Sequence, residues 1–450
     1  MSLEKMAPSE CAKKYLEQSE PLTVHLTSNI VFEYRDGVWN CLKDAELLRR
    51  VAEFFNSNGA VYRPDKIKSV VEAMKMEMHE RGAAQAGLIG FKNGVYDLNN
   101  RQFLAHKQEH WLLNHNGIEY LDPESLEVLE THAPNFYQWL SHCANADEGK
   151  MERIKAALYM VLTNRHDWQM FIEITGAGGS GKSIFMDIAS LLVGEDNAVS
   201  GSMANLDDGR GRARFVGKTL IMLPDQPRYF GDGAGIKAIT GGDPVDIDAK
   251  YKNPYTIVLN AVVIATNNAP MHFNEKNGGI SRRRVIFSFD QVVQNRDLEL
   301  KSKIRIELPV IIRHLLDDFS DEGKARRFLT KQLHSSESMK VKCGTDPMYA
   351  FCSYLKELPE YTGLLMGNLN ISPEKPRMYL YHAYLSFMGA NGFGKPLTLT
   401  RFGNDLPSVL KEFSINARKA KTKYGMRYNL ALADAANDWL PSVPANDKRE

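Results

Sequence analysis

The chain has 450 residues, of which 43% are hydrophobic and 25% charged. Those proportions belong to a folded chain with length for about three domains at roughly 150 residues each, and they exclude fibrous, collagen-like and wholly disordered classes. Lys and Arg number 56 against 55 acidic residues, a net charge of +1, which excludes a protein coated all over in basic charge for nucleic acid but leaves room for a local basic patch.

The cysteines Cys11, Cys41, Cys143, Cys343 and Cys352 are scattered and form no CxxC pair, the pattern of a reduced intracellular chain without a zinc ribbon. The first twenty residues are polar and charged and do not read as a signal peptide. No run approaches the ~18 apolar residues of a membrane span, so a cytoplasmic protein without a membrane partner is expected.

Residues 30–40 read as a β-hairpin, with two aromatic and β-branched runs flanking Asp36-Gly37. Helical spacing follows over 43–56 and 65–81, and short strands surround Asn93-Gly94 and Asn99-Asn100. Residues 149–164 form a helix with Ile154, Ala157, Leu158 and Val161 on its apolar face. These elements predict an N-terminal α+β domain over 1–150. From Met170 short apolar runs alternate with helical stretches: MFIEIT, SIFMDIASLLV, TLIML, NAVVIAT. That alternation predicts an α/β core with a largely parallel sheet over 151–295. Residues 297–334 read as helical and highly charged, a connector over 296–345. Helices at 346–357, 376–389 and 400–413 and the strand-like YNLALAD make a C-terminal domain over 346–440, followed by a loose tail over 441–450.

Residues 176–183, GAGGSGKS, satisfy the phosphate-loop pattern G-x-x-x-x-G-K-[ST], with a β-run entering and a helical run leaving. Glycines let the backbone wrap phosphates with its N–H groups inward, and the helix N-terminus adds partial positive charge. Gly176, Gly178, Gly179, Ser180, Gly181, Lys182, Ser183 and Ile184 are the nucleotide-binding candidates. Lys182 is expected on the β/γ-phosphates and Ser183 on Mg²⁺. No N/T-K-x-D guanine reader is present, which favours ATP; a small-molecule kinase stays open on this motif alone.

A second buried strand, KTLIMLP, ends in Asp225, placed to hold Mg²⁺ and orient the attacking water. A third, AVVIAT, ends in Asn267 and Asn268, and Asn267 is the candidate sensor of the γ-phosphate. Arg282, Arg283 and Arg284 open a fourth strand, and Arg282 or Arg283 is the candidate transition-state arginine, supplied to a neighbouring subunit. Gln226 follows Asp225 where many such ATPases carry a second acid, so the catalytic base stays open.

In this order the motifs GAGGSGKS, GKTLIMLPD, IKAITGGDPVDIDAKYKNP, VVIATNNAP and GGISRRRVIFSF resemble those of superfamily 3 helicases, and most of all the phage, satellite and plasmid primase–helicase branch. The upstream LIGFKNGVYDLNNRQFLAH resembles the segment that precedes the helicase core there. The resemblance implies an AAA+-like P-loop core that assembles as a homo-hexamer around single-stranded DNA at a fork, moves 3′ to 5′, and works in a bacterial host. It makes Asp225 the Walker B acid, Asn267 the sensor and Arg282 or Arg283 the finger. It also gives the N-terminal domain a role in oligomerisation or in feeding DNA to the ring.

The T-G-G-D element reads as the end of a helix at 236–242 followed by a hairpin of 245–250 and 255–259. Lys250 and Lys252 then share one face with Tyr251 on the other, and in a ring pore they would grip phosphates. No nucleotidyl-transfer carboxylate pair is evident, so priming is left to a separate primase. Near the C-terminus Lys395, Arg401, Lys411, Arg418, Lys419, Lys421, Lys423 and Arg427 stand against Asp405 and Glu412, with Tyr424 and Tyr428 between them. Helices followed by a β-like ending fit a winged-helix-like domain with 400–413 as recognition helix and 416–428 as wing. RMYLYHAYLSFMGANGF resembles the origin-binding end of satellite-phage replication proteins, which makes origin DNA a partner. The competing reading is an ATP-switched DNA-binding initiator or regulator without unwinding activity.

Overall fold

Five short strands, four of them largely buried, build the centre of the molecule. In the computed structural model, which describes residues 2–442 apart from 27, 124–125, 227–228, 230, 251–253, 274–278 and 373, they are β1 (Phe171–Thr175), β2 (Ala198–Ser200), β3 (Leu220–Pro224), β4 (Val262–Asn267) and β5 (Arg284–Ser288). All pair in parallel, in the order β5-β1-β4-β3-β2. β1 and β4 are buried at every position, which is why they read as continuous apolar runs instead of alternations. The exception in β1 is Glu173, whose carboxylate takes Arg284 of β5 at 2.6 and 3.0 Å. Register sets Thr175 level with Asn267 and Ser288, and Thr266 level with Pro224, so four strands end along one edge. β2 carries too short a run to register as a pattern.

Helices Pro134–Ala144, Glu148–Leu162, Lys182–Val193, Leu300–Asp318 and Glu322–Leu333 cover this sheet. One hydrophobic cluster joins Phe91, Phe136, Leu158, Ile188, Val285, Ile312 and Leu329. The antiparallel sheet Leu88–Phe91, Gly94–Asp97, Gln102–Leu104 therefore shares its interior with the parallel sheet, and residue 150 marks no break in the core. The first eighty residues have their own cluster, including Val31, Leu47, Phe55, Val70 and Met74. Their predicted hairpin forms from Ile30–Arg35 and Val38–Leu42, with Asp36 at φ 54° and Gly37 at φ 80° in the turn, and Leu22–His25 adds a third strand.

The helical stretch expected over 297–334 is two helices. The break falls at 319–321, where the Asp321 carboxylate accepts the Gly323 N–H at 3.0 Å and starts the second. The helix expected over 346–357 stops at Cys352, and Leu355–Glu357 pairs as an antiparallel strand with Leu430–Leu432. Helices Leu380–Ala390 and Leu399–Glu412 and the hairpin Lys419–Thr422/Gly425–Tyr428 complete a C-terminal unit with its own core of Phe351, Leu380, Tyr384, Phe402, Leu410 and Leu430. The predicted tail lies outside the described residues from 443 on. Among the described residues no helix is long and apolar enough to cross a membrane.

Candidate functional site

The loop 176–183 joins β1 to the helix Lys182–Val193 at the edge where the strands end. Two of its glycines are demanded by close approach. A Cβ on Gly176 would lie 2.1 Å from the Phe289 carbonyl oxygen, and one on Gly181, which has φ 97°, would lie 2.7 Å from the Cys143 sulfur. Helix Pro134–Ala144 braces the loop from beneath: the Trp139 indole N–H donates to the Gly181 carbonyl at 3.3 Å. That helix is itself held by Glu307, whose carboxylate accepts the N–H groups of Asn135 at 3.0 Å and Phe136 at 2.8 Å. Burial pushes the Cys143 thiol well up, so it packs without being nucleophilic. The other side of the loop is open, with Ala177 and Gly178 exposed. The Gly179 carbonyl oxygen accepts the Val293 N–H at 3.0 Å. The Ser180 hydroxyl is buried and finds no hydrogen-bond partner.

The Lys182 amine is buried and donates to the carbonyls of Gly176 at 2.7 Å and Ala177 at 2.8 Å and to Asn268 Oδ1 at 3.1 Å. Burial lowers its pKa, and the neighbouring Asp225 carboxylate works against that shift. Ser183 is exposed at the first turn of the helix, and Ile184 packs against the main core. Asp225 is exposed just past β3 and sits at φ 41°, a strained value for a residue with a side chain. Two contacts hold the strain: the Asp225 N–H donates to the Thr266 carbonyl at 2.8 Å, and the Gln226 N–H donates to Asn267 Oδ1 at 2.8 Å. The Gln226 side chain turns away, accepting the Met203 N–H at 2.8 Å and donating to the Pro224 carbonyl at 2.9 Å.

Of the two amides at the tip of β4, Asn268 reaches the P-loop lysine, while Asn267 is buried and fixes the backbone behind Asp225. Its Nδ2 finds no partner. The sequence expectation for Asn267 therefore meets a geometry in which Asn268 makes the contact with Lys182. No spacing rule separates two adjacent amides; which one faces the loop depends on how the chain leaves the strand. Among the described residues no group of three or more His, Cys, Asp or Glu side chains could hold a metal ion by itself. The hydroxyl of Ser183 and the carboxylate of Asp225, both exposed at this edge, fit an ion that takes its remaining ligands from phosphate oxygens and water. The partnerless Ser180 hydroxyl and the open loop face fit the phosphates.

The three arginines diverge. Arg284 is committed to the interior, pairing with Glu173 and donating to the Met271 carbonyl at 2.9 Å. Removing either partner of such a pair costs roughly 3–5 kcal/mol because the other charge stays buried. Arg283 is half-buried and donates to the Gly279 carbonyl at 2.8 Å. Arg282 is exposed and lines a cleft of about 750 Å³ between the parallel-sheet core and the C-terminal unit.

The hairpin after helix Ala234–Gly241 exists, formed by Val245–Ile247 and Tyr255–Ile257. Pairing stops at Ile247, so the exposed Lys250 lies in the connecting turn and not on a strand face, and Lys252 and Tyr251 fall outside the described residues. In the C-terminal unit, Lys419 and Lys421 are exposed on alternate positions of one strand, and Lys423 in the turn stacks over Tyr424 at 4.9 Å. The arginines are engaged. Arg418 donates to the Pro359 carbonyl at 3.1 Å, Arg427 to the Thr362 carbonyl at 3.3 Å, and Arg401 pairs with Asp405 at 3.6 Å. The expected recognition helix, observed as Leu399–Glu412, turns Arg401, Asp405, Ser408 and Lys411 into the cleft against the core. Lys411 on this helix is exposed, as are Lys419 and Lys421 on the hairpin.

Comparison with known proteins finds three family matches along the chain. Residues 24–144 match the family "D5 N terminal like", residues 174–284 a family of unknown function (DUF5906), and residues 344–441 the family "Poxvirus D5 protein-like". The phage P4 origin-binding domain is 47% identical, over 22% of this chain and 98% of that one, with a TM-score of 0.21; its sequence identity carries the relation. The NrS-1 C-terminal region is 11% identical over 96% of this chain and 100% of that one, with a TM-score of 0.50, and shares the fold. With the helicase motifs spread along one sheet edge between two D5-type flanks, the chain belongs to the superfamily 3 helicase family of phages, satellites and plasmids.

Proposed function

We propose that this chain is an ATP-driven DNA helicase with an AAA+-like core, working as a homo-hexamer in the replication of a phage, satellite or other mobile element. Its C-terminal unit is a winged-helix-like domain that binds origin DNA. The observation that carries the reading is the meeting of Lys182, Asn268 and Asp225 at the P-loop edge, on a sheet whose fifth strand begins with the arginine run. The strand order β5-β1-β4-β3-β2 supports the AAA+-like assignment.

ATP phosphates entering the loop would take over the Lys182 amine from the Gly176 and Ala177 carbonyls, while Asn268 keeps the lysine tied to the end of β4. A Mg²⁺ ion held by Ser183 and Asp225 would neutralise charge on those phosphates. Asp225 orients the attacking water from a backbone that Asn267 and Thr266 hold in place. Gln226 is spent on Met203 and Pro224, which leaves Asp225 as the acid at this strand end. Arg282 or Arg283 reaches the ATP of a neighbouring copy and stabilises charge in transit. Lys250, with Lys252, faces the pore and drags one strand of a fork while the other is excluded; the direction, 3′ to 5′, follows the family resemblance. The origin-binding likeness is assigned to the C-terminal unit, whose lysine hairpin offers the phosphate contacts.

The test is ATP-dependent unwinding of a forked duplex by wild type beside Lys182→Ala. Unwinding by wild type alone supports the motor. ATP hydrolysis without unwinding on either tail polarity moves the assignment to an ATP-switched initiator, the reading favoured by the 47% likeness to an origin-binding domain.

A further inference from the structure

The arginines that would serve a neighbouring ATP are pinned on both sides, and one pin comes from the C-terminal unit. On the far side Arg284 is locked to Glu173 in the middle of β1, the strand that leads into the P-loop. On the near side Ser281, the residue before Arg282, is hydrogen-bonded through its hydroxyl to the phenol of Tyr349. Tyr349 opens the C-terminal unit in helix Pro347–Cys352 and is 4% exposed. Its phenol also contacts Glu412 Oε1 at 2.6 Å, and the other oxygen of Glu412 takes the Lys342 amine at 2.7 Å. Lys342 is 2% exposed and lies over the Tyr349 ring at 5.7 Å.

The donors and acceptors give this chain a direction. Burial, reinforced by the Glu412 charge, keeps the phenol protonated, and its one proton must go to Glu412, an acceptor only. Ser281 then has to donate to the phenol oxygen. Each group in the run Ser281, Tyr349, Glu412, Lys342 is oriented by the next, and Glu412 is the last residue of helix Leu399–Glu412, the helix turned against the core. Such a run serves no hydrophobic purpose, and burying it is costly unless it sets a geometry. The geometry it sets is that of the two residues between its end and Arg284.

We propose that Tyr349 is a positioning residue for ATP hydrolysis in a neighbouring copy of this chain: through Ser281 it holds Arg282 and Arg283 at the angle needed to reach that ATP, so the placement of the C-terminal unit governs the arginine. The inference rests on the hydrolytic reading above and deepens it.

The experiment uses the full chain and measures kcat and KM for ATP in wild type, Tyr349→Phe, Ser281→Ala and Arg282→Ala/Arg283→Ala, and in the arginine double variant combined with Tyr349→Phe. Tyr349→Phe and Ser281→Ala remove the link from opposite ends by one hydroxyl each and leave the packing, which thermal melting checks. The expected result is a fall in kcat of about tenfold for each, with KM held within about twofold, since a finger arginine acts in the transition state. The loss should vanish in the arginine-deficient background, where there is nothing left to position. Wild-type kcat in both single variants, or a loss that adds to that of the arginines, overturns the proposal. A chain that hydrolyses ATP normally without Arg282 and Arg283 overturns the finger assignment itself, and this inference with it.

Discussion

The two lysine-bearing antiparallel hairpins assigned to DNA contact are rooted in different cores. The hairpin Val245–Ile247/Tyr255–Ile257 sends Val245 and Ile247 into a cluster with Ile221 and Leu223 of β3 and Val263 of β4. Its outer side is tied by Arg212 to the Asp246 carbonyl at 2.6 Å and by Arg210 to the Asp248 carboxylate at 3.0 Å. The hairpin Lys419–Thr422/Gly425–Tyr428 instead buries Tyr428 in the C-terminal core, with Lys419 and Lys421 in solvent. A hairpin rooted against the nucleotide-binding strands can be displaced by what happens at their ends. A hairpin rooted in a separate core keeps its shape whatever the sheet does. A lysine hairpin thus has no role by composition; the core beneath it supplies the role.

The comparison can be broken or sharpened by substitution. Lys182→Ala has the largest expected effect: ATP hydrolysis falls roughly 10²–10³-fold and unwinding with it. Duplex binding by the C-terminal hairpin, read by fluorescence anisotropy, should not change, and a parallel loss there would erase the distinction between the hairpins. Lys250→Ala comes next, with unwinding of a forked duplex reduced at least about tenfold and hydrolysis kept within about twofold. Surviving unwinding would remove Lys250 from the pore. Lys419→Ala/Lys421→Ala should do the opposite. Duplex affinity drops about tenfold at physiological salt, the log–log salt slope flattens by about two, and hydrolysis is retained. Smallest is Thr256→Val. It deletes the exposed 2.9 Å bond from the Thr256 hydroxyl to Asp246 and should cost about 0.5 kcal/mol in denaturant titration, leaving duplex binding untouched.

Much of the nucleotide site was legible because its parts are short-range. A P-loop is a backbone conformation, so its glycines and lysine must sit at set spacing, and the buried parallel strands that position it are continuous apolar runs. The pairing of Glu173 with Arg284 was missed, although an acid inside such a run needs a buried cation. The bracing of the loop by Trp139 to Gly181, and of the backbone behind Asp225 by Asn267 to Gln226, was not legible, since those partners are 42 and 41 residues apart and no local pattern links them. The split of the charged helical stretch at 319–321 was also missed. Helical spacing on both sides of Phe319 is continuous enough to conceal a cap that depends on one aspartate.

By itself the sequence determined the sheet type and the loop that leaves its first strand: glycines, a lysine and a serine at set spacing state the loop, and runs of apolar residues state which strands are buried. The tertiary structure decided orientation. It put Asn268 and not Asn267 on the P-loop lysine, sent Arg284 inward and left Arg282 exposed, and turned helix Leu399–Glu412 toward the core. The physical reason is the same in each case. Adjacent residues share composition and spacing but point in different directions, and the direction is set by partners that are distant in the chain and meet only when the core closes.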